Sequence, residues 1–119
     1  MTQYQHLEVW RVSMDLAEHC YRVTSTFPKE EIFGLTSQIR RAAALVPASI
    51  AEGHGRASTK VYLTLLSRAR GTLMELESHL LLSSRVGLLS SEQLNPLMES
   101  TRRVCHMITL LRSELKKRL

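Results

Sequence analysis

Aromatic residues are scarce in this 119-residue chain, at 5%, while hydrophobic residues reach 44%. A core so poor in rings suits aliphatic helix packing better than a sheet. Only two cysteines occur, Cys20 and Cys105, with no paired-cysteine spacing. That excludes a disulfide framework, and each falls on a helical apolar stripe, as a reduced core cysteine of a cytoplasmic protein would. No uninterrupted apolar run approaches the ~18 residues of a membrane span. The opening MTQYQHLEVW has no basic segment followed by an apolar one, so no secretory signal is read there. Catalytic patterns are missing too: there is no nucleophile elbow, Walker loop or zincin motif. A di-iron bundle needs Glu-x-x-His on two helices. The residues three before His6, His19, His54, His79 and His106 are Gln3, Leu16, Ala51, Leu76 and Arg103, none a carboxylate. These absences argue against an enzyme, a bound metal or cofactor, and a small-molecule substrate.

What is present is helical periodicity in four blocks. Leu, Ala, Glu, Arg, Ser and Met dominate, and most of them favour helices. The first block, near 6–25, carries two adjoining stripes: Trp10, Met14, Ala17, Tyr21 and Thr24, then Val9, Val12, Leu16, Cys20 and Val23. The second, near 35–54, has Leu35, Ile39, Ala42, Ala43, Val46, Ile50 and Gly53 on one face. Pro47 falls inside it, removes a backbone donor and crowds the preceding turn, so a bend is expected there. The third, near 59–85, has the stripe Tyr62, Leu65, Leu66, Ala69, Leu73, Leu76 and Leu80. Gly71 costs this helix roughly 1 kcal/mol relative to alanine, which predicts a close helix crossing. The fourth, near 91–117, shows the cleanest stripe, from Leu94 to Leu115. Helix ends are marked by Ser58 as an N-cap, a Ser90–Gln93 capping box with Leu89 and Leu94 as its staple, and Gly87 as a C-cap. Gly53 to Ser58 ends the second helix and starts the third, and its glycines can take left-handed geometry at a helix end. The whole chain, 1–119, reads as one all-α domain, an antiparallel up-down-up-down four-helix bundle.

The stretch from Phe27 to Arg56, FPKEEIFGLTSQIRRAAALVPASIAEGHGR, carries a family resemblance. Phe27-Pro28, Glu31, Gly34-Leu35-Thr36, Gln38, Arg40-Arg41-Ala42, Pro47, Ile50-Ala51-Glu52-Gly53 and Gly55-Arg56 all match the pattern. Ala69 to Glu77 resembles the same family further on. It is that of the four-helix-bundle proteins encoded in intervening sequences of bacterial 23S rRNA, distantly similar to the accessory variability proteins of diversity-generating retroelements. Ser49 and Leu45 depart from the usual asparagine and serine, so no role resting on those polar groups carries over. The resemblance implies a homopentamer with a positively charged surface. It also implies RNA, or a ribonucleoprotein such as a reverse transcriptase complex, as the partner.

Charge and polar spacing supply the candidate site. The net charge is +5, and all of it lies in residues 60–119, with ten Lys/Arg against five Asp/Glu. Arg102, His106, Thr109, Arg112 and Lys116 fall along one flank of the fourth helix's stripe, where they can contact phosphates. The bland alternative is a solvated flank. Arg56, in the Gly-His-Gly-Arg turn ahead of a helix start, is a further phosphate candidate, although a plain helix–helix turn explains it as well. Gln38, Arg41, Pro47, Glu52 and Gly53 read as structural. Arg41 and Glu52 are eleven residues apart, too far to pair, so each is expected to find a partner on another helix or subunit. Apolar residues off the third helix's stripe, Leu63, Met74, Leu81 and Leu82, hint at self-association. Two functions compete: a basic oligomeric adaptor for RNA, and a protein-interaction scaffold with incidental charge.

Overall fold

The protein is described here by a computed structural model covering residues 3–119. The first two residues of the single-domain span, and of the segment read for a signal, lie outside the described residues. Four long helices follow one another: α1 (Glu8–Thr24), α2 (Leu35–Gly55), α3 (Thr59–Arg85) and α4 (Ser91–Lys116). No strand occurs among the described residues. Each helix packs on its neighbour in sequence, and α4 returns to α1, which closes a square around one core. The body measures 46 × 22 × 21 Å.

Helix starts show why the punctuation reads as it does. Residues Gln3–His6 form a separate 3-10 turn. Leu7 is extended, so α1 begins two residues later than the spacing suggests. Ser58 accepts the Val61 N–H at 3.2 Å, opening α3 where expected. Ser90 and Gln93 form the full capping box ahead of α4. Leu89 is buried and Leu94 packs against the core beside it. At the end of α3 the Leu88 and Gly87 N–H groups bond back to the carbonyls of Ser83 and Ser84. Gly87 takes φ of +86° to allow that reversal.

The start of α2 explains a block of the motif. Pro28 leads into a 3-10 turn over Lys29–Glu31. The Glu31 side chain then reaches forward and accepts the Leu35 N–H at 3.1 Å. It satisfies an orphan donor and sets a carboxylate at the positive end of the helix. Gly34 leaves the space for this, since a Cβ there would lie 2.7 Å from Glu31 Oε1. Glu31→Ala should cost about 1 kcal/mol of stability, read as a lower urea midpoint. An unchanged midpoint would remove Glu31 from the cap.

Two expectations, on the helix-end glycines and on Gly71, need correction; that on the off-stripe apolar residues of α3 holds for three of the four. α2 does end at Gly55, but neither Gly53 nor Gly55 takes left-handed geometry, and Gly87 alone among the described residues has positive φ. Gly53 is instead a contact glycine, with a hypothetical Cβ only 2.7 Å from the Tyr62 ring. Gly71 has open space around it, so it permits no crossing. Leu63 is buried, whereas Met74, Leu81 and Leu82 remain exposed.

The core is aliphatic, as the stripes require. Leu16, Ile39, Ile50, Leu66, Leu73, Leu76, Leu80, Leu97 and Ile108 are fully enclosed. Pro47 sits buried inside α2. Cys20 is buried and unpaired, and desolvation pushes its thiol up to about 12. Such a thiol is inert in the folded protein. No helix among the described residues is long and apolar enough to cross a membrane.

Candidate nucleic-acid interface

The four ion pairs seen among the described residues are Glu18–Arg22, Glu52–Arg56, Glu8–Arg103 and Glu114–Lys117. All are exposed and contribute little to stability. They do locate the cations that are already neutralised locally. Arg56 is one of them, held 3.1 Å from Glu52 on its own helix. The expectation that Glu52 must look to another helix or subunit is thereby overturned, because Arg56 lies one turn away.

Arg41 and Gln38 are exposed on the outer face of α2. The tie between α1 and α2 is made by their neighbour Arg40. Its Nε donates to Thr24 Oγ1 at 2.9 Å and its Nη2 to the Tyr21 carbonyl at 3.2 Å. The guanidinium also lies 4.7 Å from the centroid of the Tyr21 ring, a cation–π contact. Arg40 stands in the Arg-Arg pair of the motif, one residue from the one singled out.

The α4 flank divides. Arg102, His106, Thr109 and Lys116 are exposed, while Arg112 is half-buried and turned into a groove against α3. Leu63, Thr64, Ser67, Arg68 and Arg112 line this groove of about 460 Å³. A second hollow, lined by Ser67, Arg70, Gly71, Met74 and Cys105, adjoins it through Ser67. No carboxylate lines either one. Arg112 Nε is shut off from solvent and has no hydrogen-bond acceptor. Two arginines lining one hollow with no carboxylate beside them are suited to an anion's oxygens. Arg68 and Arg70 therefore join the candidate residues, and Arg56 stands outside the groove.

At one end of the bundle, Arg118 is close enough to bear electrostatically on Tyr62. Burial raises the Tyr62 phenol from its ordinary value, and Arg118 opposes that. The Tyr62 hydroxyl lies 3.4 Å from His54 Nδ1 in the last turn of α2. The basic tail of α4 and the α2–α3 turn thus share an end. Among the described residues no cluster of His, Cys, Asp or Glu could hold a metal ion.

These features define a small all-helical protein with a basic groove between its last two helices. Comparison places it more closely: the chain belongs to the 23S rRNA-intervening sequence protein family, whose model matches residues 5–110. It is similar in fold to a crystal structure of a protein of unknown function from the S23 ribosomal protein family of Bacteroides thetaiotaomicron. The TM-score is 0.79 at 20% identity, covering 87% of this chain and 97% of the other. No functionally curated protein matches it.

Proposed function

We propose that the protein is a non-enzymatic, oligomeric adaptor that grips the phosphate backbone of RNA, free or within a ribonucleoprotein. The observation that carries this reading is the acid-free groove between α3 and α4, lined by Arg68, Arg70 and Arg112. Arg102, His106 and Lys116 extend it along the exposed flank of α4. From Arg102 to Lys116 the flank runs about 21 Å at 1.5 Å rise per residue. That length spans several nucleotides. With no aromatic side chain lining the groove, bases have nothing to stack on, so binding tolerates any sequence.

The reading includes an antiparallel bundle, with α2 bent at Pro47. The α2–α3 connection, residues 56–58, is too short to run back along a 46 Å body, which supports reversal of direction. The missing N–H of Pro47 supports the bend. It also includes a closed homo-oligomer, five-fold by family resemblance, which would repeat the basic groove around its axis and make weak contacts multivalent. The test is binding to an unstructured RNA and to a duplex RNA across 50–200 mM salt. A steep fall in affinity with salt and little dependence on sequence are expected. A flat or absent response leaves the protein an interaction scaffold.

A further inference from the structure

We infer that the Ile32–Phe33 tip of one copy seats in the apolar groove between α1 and α2 of another. Phe33 is 94% exposed and Ile32 54%. Two neighbouring large apolar side chains left in water on a connection call for a partner surface. The tip is built rather than loose. The Ile32 N–H bonds to the Lys29 carbonyl, the Gly34 N–H to the Glu31 carbonyl, and Glu31 is anchored to the start of α2. A tip held in place loses little freedom on docking.

The receiving groove lies across the outer faces of α1 and α2. One hollow of about 450 Å³ and another of about 490 Å³ share Tyr21 and Ala44. Met14 and Tyr21, at 39% and 47% exposure, form one wall. Ala44 and Ala48, both small, leave the depth that an aromatic ring fills. The rim is basic, with Arg40, Arg41 and Arg68 around one hollow. The tip is acidic by a single net charge, Glu30 and Glu31 against Lys29, and Glu30 is exposed without an ion pair among the described residues. Apolar fit and opposite charge select this same segment as the occupant. The ring does not fill its own chain's groove, since it is almost wholly in solvent. The occupant is therefore a second copy, docked either reciprocally in a two-fold pair or head-to-tail.

This inference rests on the self-association in the proposed function; its test needs no RNA, and Arg68 lines both this groove and the one between α3 and α4. The experiment is light scattering at micromolar protein without nucleic acid, on wild type, Phe33→Asp, Ala44→Trp and an equimolar mixture of the two variants. Both substituted positions are exposed, and circular dichroism checks that each variant remains helical. Wild type is expected at a multiple of the 13.6 kDa chain mass. Each variant alone is expected as a monomer. The mixture, with one good tip and one good groove, is expected at twice the monomer mass. A monomeric wild type overturns self-association and this contact together. An oligomeric wild type whose Phe33→Asp variant keeps the same mass overturns this contact alone, as does a mixture that stays monomeric.

Discussion

Alanine at position 53 should destabilise the protein, while alanine at position 71 should stabilise it, although both are glycines inside long helices. A helix gains roughly 0.5–1 kcal/mol when an interior glycine becomes alanine, because the unfolded chain loses freedom and the helix loses none. At Gly71 nothing lies within 4 Å of the new methyl, so the full gain is expected. At Gly53 the methyl would lie 2.7 Å from Tyr62 Cδ1, 3.2 Å from Cε1 and 3.4 Å from Leu65 Cβ. The Tyr62 ring is rigid and buried, and its hydroxyl is held near His54, so it has nowhere to retreat. Overpacking of this kind costs about 1–3 kcal/mol and outweighs the propensity gain. Thermal unfolding should move in opposite directions, by about 4 °C per kcal/mol for a chain of this size. Shifts of the same sign in both variants would show that Gly53 is no contact glycine.

The same pair of glycines shows what a sequence can and cannot carry. Helix content was legible, because propensity, stripes and caps agreed. The range of α3 and the capping box of α4 followed directly from residues whose chemistry is local. Gly53 and Gly71 look alike to such a reading, since the difference between them is a tyrosine ring brought in from the next helix. The role of Arg40 was hidden for a related reason. Its partners, Thr24 and the Tyr21 carbonyl, lie on α1, and nothing in the spacing of α2 says which arginine of the pair leans that way. The Glu52–Arg56 pair, by contrast, is legible in the sequence, since the two residues stand at i,i+4 spacing. The candidate site was half legible. A stripe on α4 defines two flanks, but which flank meets α3 depends on the direction in which the four helices circle the core. That choice is a property of the whole bundle. Once α3 stands beside Arg112, its Arg68 and Arg70 become part of the same groove.

Location, rather than total charge, should therefore decide nucleic-acid binding. Two triple variants separate these causes, each removing three positive charges. The first, Arg68→Gln/Arg70→Gln/Arg112→Gln, empties the groove. The second, Arg22→Gln/Arg56→Gln/Arg103→Gln, removes cations already paired with Glu18, Glu52 and Glu8. Each phosphate contact contributes about 0.7–0.9 to the slope of log affinity against log salt, so the groove variant should lose about 2–3 from that slope. Its affinity at 0.1 M salt should fall about 10²-fold by the same relation. Arginine pairs already neutralised by a carboxylate release few counterions, so the second variant should bind nearly as the wild type does. Arg112 is half-buried, and glutamine there removes the unmet Nε donor without leaving another charge behind, so the groove variant should unfold no earlier than wild type. Equal losses in the two variants would make binding a matter of overall charge. Wild-type affinity and slope in the groove variant would make Arg68, Arg70 and Arg112 a solvated face.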